Sequence, residues 1–173
     1  MPVFNPIDEA FTVALKLKDL AEKCQENNKL GEPIAKKAKE LPGLIATAGL
    51  VPGLAFYLSK TKNEALYKTI LEYLQGTNPL LQNCSQTREL KDTIVNELGG
   101  GEKSGYTTLT AATAHAIHLA TGKAVSDKKK LIETLKQIKQ KITQEAVLEA
   151  QVLEYLQELK KLATALFEEG EPK

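Results

Sequence analysis

Three groups of residues have types and spacings that could do chemistry, and each lacks an essential part. The run Gly99, Gly100, Gly101, Glu102, Lys103, Ser104, Gly105 has the look of a phosphate loop. It fails where Glu102 stands before the Lys-Ser pair, because the motif needs glycine there and a carboxylate repels phosphate. No strand pattern precedes it, so residues 99–105 read as a flexible loop and not as a cradle of positioned amides. His115 and His118 are three apart and can share one helix face. Zinc needs further ligands, no HExxH or cysteine pair is nearby, and Glu97 or Asp127 would have to be supplied by the fold. No carboxylate lies in the same helical turns to pair with either imidazole in acid–base work. Both histidines are therefore expected to be partly exposed on an alanine-rich helix. Cys24 falls on an apolar helix face, and no Gly-x-Ser-x-Gly elbow occurs. The expectation is no catalytic residue, no metal site, no cofactor and no enzyme activity.

What remains is lysine. Lys36, Lys37 and Lys39 form one cluster, and Lys60 with Lys62 a second. Lys128, Lys129, Lys130, Lys136, Lys139 and Lys141 form a third, and Lys160 with Lys161 a fourth. On composition alone such clusters are solvated faces. Arg88 is the only arginine. Base-edge readout leans on arginine, so sequence-specific nucleic-acid recognition is not expected.

The elements that carry these residues are helical. The chain has 173 residues, 42% apolar and 26% charged, with 5% aromatics and no tryptophan. Alanine, leucine, lysine and glutamate dominate, which favours helix, and the length suits one domain. The formal net charge is +1, so any contact with nucleic acid depends on how charge is distributed. Cys24 and Cys84 make neither a disulfide framework nor a metal pattern and are expected to be reduced. The first residues lack a basic region followed by an apolar run, and no segment reaches about 20 apolar residues, so the chain is expected to be cytoplasmic.

In order, Asn5 is placed to cap a helix from Pro6 with Ile7, Phe11, Ala14, Leu17 or Leu15, Ala21 and Cys24 inward. Pro33 opens a second helix with Lys36, Lys37 and Lys39 on its solvent side. Asn63 caps another, with Ala65, Leu66, Ile70, Leu71 and Leu74 inward and Gly76 at its end. Residues 86–98 and 107–121 can form two more helices. A long final helix is capped by Ser126 and carries Leu131, Leu135, Ile138, Ile142, Ala146, Ala150, Leu153, Leu156, Leu159, Ala163 and Leu166 at spacings of three and four. The expected architecture is an all-α, single-domain helical bundle over residues 1–173. Within it, 76–125 reads as a divergent or inserted segment less essential to the fold, and 168–173 as a flexible tail.

Residues 41–60 are the most apolar part of the chain and hold two prolines and three glycines. They read as two helical pieces joined by a bend, with Gly49 ending the first and Pro52 in the first turn of the second. Leu54, Ala55, Phe56, Tyr57 and Leu58 are expected to supply a buried face. The small residues Gly43, Ala46, Ala48, Gly49 and Gly53 are expected to let helices approach closely. The order Leu41, Pro42, Leu44, Ile45, then Gly49, Leu50, then Leu54, Ala55, Phe56, then Lys60 resembles the small subunit of the type III-B CRISPR effector, the Cmr complex. Lys160, Lys161 and Ala163 with Glu149 and Ala150 upstream resemble the family's C-terminal pattern more loosely. Glu158 stands where that pattern has tryptophan, and Leu162 where it has an aromatic. The motifs do not reach 76–125.

The resemblance implies a small, all-helical, non-catalytic subunit of an RNA-guided antiviral ribonucleoprotein, lining its RNA channel. The partners implied are other subunits of the effector, including the repeated backbone subunit and copies of itself, with crRNA and single-stranded target RNA, and no membrane. It turns Lys36, Lys37, Lys39, Lys60, Lys62, Lys160 and Lys161 into candidates for RNA phosphate contact, since lysine neutralises phosphate without selecting sequence. Leu80, Leu81, Val147 and Leu148 stand outside the core pattern as candidates for subunit contacts. The alternative is a helical protein–protein adaptor without RNA contact, its docking surface on the last helix.

Overall fold

The computed structural model describes residues 3–24, 31–77 and 102–167. Seven helices are present there: α1 (Pro6–Cys24), α2 (Gly31–Ala48), α3 (Leu50–Lys60), α4 (Glu64–Gln75), α5 (Glu102–Thr121), α6 (Lys128–Lys139) and α7 (Ile142–Phe167). No strand occurs among the described residues, and the all-α expectation holds.

The bend at 41–60 forms where its glycine sits. Gly49 has φ +98°, a conformation that disfavours any side chain, and separates α2 from α3. A glycine has no side chain to cap α3. The carboxylate of Glu149 comes across from α7 and accepts from the Leu50 amide at 3.2 Å. Glu149 therefore couples the bend to the last helix. Of the small residues expected at helix contacts, only Gly53 is packed closely, its missing Cβ 3.0 Å from Ile45; Gly43 faces open space.

Asn5 caps α1, its Oδ1 accepting from the Ile7 and Asp8 amides. The buried side of α1 is the expected one only in part: Ala14, Leu17 and Ala21 face inward as expected, and Ile7 and Phe11 do not. Ala10, Val13, Ala14, Leu17, Leu20 and Ala21 are buried, while Ile7 and Phe11 are 41% and 47% exposed. Two apolar stripes coexist on this helix. The one with small residues faces the core because α7 packs close against it, and the bulkier one is left outside. Asn63 caps α4 and Gly76, at φ +77°, ends it, as their types require. Leu66, Ile70, Leu71 and Leu74 are buried there as expected, whereas Ala65 is exposed.

One expectation is corrected at greater scale. The last helical stretch is not continuous. Asp127, not Ser126, caps α6 by accepting from the Lys130 amide at 2.8 Å, and the chain breaks at Gln140 and Lys141 before α7. The break shifts the register, so Ile142 is 81% exposed and Ala146 and Ala150 face solvent. Leu148 is buried and Val147 exposed; Leu80 and Leu81 lie outside the described residues.

The helix α5, which falls in the segment expected to be less essential to the fold, lies at the centre of the bundle. Leu109, Ala111, Ala112, Ala114, Ala116 and Ile117 are fully buried. A helix enclosed on every side must be thin and must satisfy its own polar groups. Alanines supply the thinness. The hydroxyls of Thr110 and Thr113 donate to the carbonyls of Tyr106 and Leu109 one turn back. The helix also begins at Glu102, so Ser104 and Gly105, expected in the flexible loop, are helical and buried. A Cβ on Gly105 would lie 2.5 Å from the Pro33 carbonyl oxygen and 2.6 Å from Cγ of Lys37. That glycine sets how closely α5 meets α2. The expected helix 86–98, Cys84, Arg88 and the expected tail 168–173 lie outside the described residues.

Tyrosines tie the helices across the core. The hydroxyls of Tyr57, Tyr67, Tyr73 and Tyr155 donate to the carbonyls of Lys37, Val125, Lys16 and Ala112. Each ring fills core volume while its hydroxyl keeps a partner, and burial raises all four above the usual phenol range.

Gly105→Ala and Gly43→Ala are expected to move stability in opposite directions in chemical denaturation. Overpacking at Gly105 costs about 1–3 kcal/mol. At Gly43, exposed inside α2 with no atom near, alanine adds up to about 1 kcal/mol through helix propensity alone.

Candidate nucleic-acid interface

The lysine-bearing elements meet at one corner of the bundle, where the first half of α2, the end of α3 and the start of α5 converge. Gly105 seats α5 on α2, and the next residue, Tyr106, is thereby held against α3. Its ring meets Tyr57 edge-on at 4.9 Å and Phe56 edge-on at 6.1 Å between centroids. The Lys37 ammonium lies 4.1 Å over the Tyr106 ring and donates to Glu40 Oε2 at 2.8 Å. The Tyr57 hydroxyl bonds the Lys37 carbonyl at 3.1 Å, closing the cluster from beneath.

Lys37 therefore departs from the solvent-face expectation. Only 3% of it is exposed. Burial alone would push its ammonium down, but the Glu40 carboxylate and the Tyr106 ring outweigh that and hold it above the ordinary lysine value. The physical reason is local: α2 turns this side toward α5, and only a long, snorkelling side chain can fill the gap beside a glycine and still reach a carboxylate. Lys37 is committed to the fold.

The other candidates are exposed. Lys36 and Lys39 lie on the outer side of α2, and Lys60 and Lys62 at the end of α3. The Lys60 ammonium is 5.5 Å over the Phe56 ring. Phe56, expected in the buried face with Tyr57, is 45% exposed. Lys160 and Lys161 are also exposed, on α7. That helix runs antiparallel to α2, with Gly31 against Phe167 at one end and Leu50 bonded to Glu149 at the other. The pair is thus level with the Lys36 cluster along the bundle, and Lys161 makes a long contact of 3.4 Å with Glu158.

Three features of the corner escaped the sequence. Lys128 donates to the Thr61 carbonyl at 2.6 Å, bringing the start of the third lysine cluster beside Lys60 and Lys62. Tyr106 was hidden behind a glycine run taken for a loop. Phe56 looked like core because every neighbour in the run is apolar, though a lysine four residues on was a signal that the ring faces outward. Other lysines close helix ends: Lys16 and Lys18 donate to the last-turn carbonyls of Leu74 and Leu166.

Compared with known families, residues 12–166 match the one described as CRISPR-associated protein (Cas_Cmr5). The chain belongs to the Cas_Cmr5 family. It is thereby a small subunit of the Cmr, type III-B, CRISPR complex. No curated protein and no solved structure matches it. The family match runs through 76–125, which the motif resemblance did not reach, and so includes α5.

In this Cas_Cmr5 chain His118 is partly exposed, as expected, and His115 is not. His115 is buried, and its Nε2 lies 2.8 Å from Glu9 Oε1 on α1. An ionised carboxylate can only accept, so Nε2 carries the proton and donates. The partner carboxylate missing from the helical turns around His115 thus comes from another helix. His118 Nδ1 lies 2.8 Å from the Lys123 carbonyl at the other end of the turn that closes α5. Among the described residues no three His, Cys, Asp or Glu side chains gather as metal ligands. No described helix is long and apolar enough to cross a membrane.

The hydrogen bond from His115 holds the Glu9 carboxyl below its ordinary value of 4.5 despite partial burial. A carboxylate depressed on folding stabilises fully above its unfolded value, and the contribution is lost as pH falls through the folded one. Glu9→Gln is therefore expected to lower stability at pH 7 and to flatten the loss of stability below about pH 4.5, read by denaturant melts across pH. An acid limb as steep as wild type would contradict this role.

Proposed function

We propose that the chain is the non-catalytic small subunit that lines the RNA channel of the effector and contacts guide and target RNA backbone without sequence selection, in support of antiviral RNA targeting. The cytoplasm would be its compartment. The contacts fall to Lys36, Lys39, Lys60, Lys62, Lys160 and Lys161, which are exposed; Lys37 is withdrawn because it is buried. The observation that carries the proposal is the exposure of Lys36, Lys39, Lys60 and Lys62 on α2 and at the end of α3, two helices that both pack on α5, within a chain of the Cas_Cmr5 family. Lysine as a point charge fits a subunit that must accept any guide.

A second reading, contact with protein alone, is favoured by a different observation. Ile7, Phe11 and Leu15 leave an apolar stripe along the outside of α1, remote in type from the lysine corner. The two are compatible: the stripe suits neighbouring subunits, including the backbone subunit or copies of this chain, while the corner takes RNA.

The isolated protein is expected to bind single-stranded RNA weakly, independently of sequence, and with strong salt dependence. Each phosphate contact contributes about 0.7 to the slope of log K against log salt. Replacing Lys36, Lys39, Lys60 and Lys62 with glutamine is expected to lower that slope stepwise, whereas Lys37→Gln acts on stability instead. Tight binding to one RNA sequence, unmoved by salt, would contradict the proposal. Unchanged RNA binding and complex function in the quadruple variant would leave the adaptor reading.

A further inference from the structure

We infer that Phe56, braced by Tyr106, is a stacking platform for one unpaired nucleobase, with Lys60 receiving the adjoining phosphate. This deepens the proposed RNA contact and rests on it: charge alone would need only the lysines.

The exposed ring is not required by the core. Tyr57, the next residue, fills the interior and anchors α2 through its hydroxyl. Phe56 points outward with 45% of its surface in solvent, in a turn whose remaining outward residues are small or polar. The ring is nevertheless braced. Tyr106 meets it edge-on at 78°, and Tyr106 is itself clamped by Lys37 on its face and Tyr57 at its edge. A braced aromatic loses little freedom on binding, which is what a stacking surface needs.

The charges around it suit a nucleotide. Lys60 rests 5.5 Å over the Phe56 ring, so that face is covered by an exposed, flexible side chain and not by the core. A base can take the ammonium's place on the ring while the ammonium moves to the phosphate, and the lysine exchanges one electrostatic partner for a stronger one. Of the carboxylates around the cluster, Glu40 is paired with Lys37 at 2.8 Å and Glu64 accepts from the Lys128 amide at 3.4 Å. Every base presents a π-face, so stacking adds affinity without selecting sequence, in keeping with the scarcity of arginine. The ligand must be single-stranded, since bases of a duplex are stacked on one another.

The test uses the full chain at low salt and a single-stranded RNA oligonucleotide carrying 2-aminopurine, whose fluorescence is quenched on stacking. A matched oligonucleotide with abasic positions serves as the probe for charge alone. Wild type is expected to bind the first with quenching. Phe56→Leu, which keeps an apolar side chain at an exposed site, is expected to lose the quench and about tenfold in affinity, the size of one base–aromatic stack. The same variant should bind the abasic oligonucleotide as wild type does, and Phe56→Trp should restore the quench. Equal binding and equal quenching by wild type and Phe56→Leu would overturn the platform while leaving the lysine contacts intact. Failure of wild type to bind either oligonucleotide would remove the RNA contact itself. Loss of self-association in Phe56→Leu with RNA binding unchanged would assign the ring to a protein contact and overturn the platform equally.

Discussion

The close approach of α5 to α2 is the constraint on which the rest depends. Gly105 has no room for a methyl group against the Pro33 carbonyl, and α5 beyond it is enclosed on all sides. Burying a whole helix favours a thin one, which the run of alanines supplies, and the buried hydroxyls of Thr110 and Thr113 are paired by bonding back to carbonyls one turn earlier. Tyr155 reaches in to the Ala112 carbonyl, and His115 reaches out to Glu9, so α7 and α1 are both fastened to the same central element. The surface corner inherits this order. Tyr106 is where it is because Gly105 lets it be there.

Several parts of this architecture were legible in the sequence because a single residue type enforces each one. Asn5 and Asn63 cap helices, Gly76 ends one, and Gly49 divides the apolar run, each for a stereochemical reason that tertiary contacts do not override. Faces were harder to read. On α1 two apolar stripes compete, and the stripe of smaller residues is buried because α7 comes close, information that resides in the partner helix. On the last stretch, a run without glycine or proline gave no sign of the break at Gln140 and Lys141, which shifts Ile142 to the surface.

The candidate site divides along the same line. Exposed lysines on α2, α3 and α7 could be named from charge clusters. Lys37 could not be separated from Lys36 and Lys39, since its burial depends on a glycine more than sixty residues away. Gly105 and His115 mislead for related reasons: glycine-rich sequence suggests a loop and alanine-rich sequence a surface helix, and both cues invert when the helix lies at the centre of a bundle. The acid–base partner sought for His115 within its own helix is Glu9, supplied by α1.

A corner built from core contacts and a stripe left on α1 give the chain two different faces, one cationic and aromatic, one apolar. The central claim is that RNA meets the first. The most direct measurement is photocrosslinking of RNA to the chain within the effector assembled with its backbone subunit and crRNA, followed by mapping of the crosslinked peptides. Adducts are expected on peptides from the end of α3 and the start of α5, around Phe56, Lys60 and Tyr106. Adducts confined to α1, or none at all in an assembled complex that contains the chain, would contradict that claim.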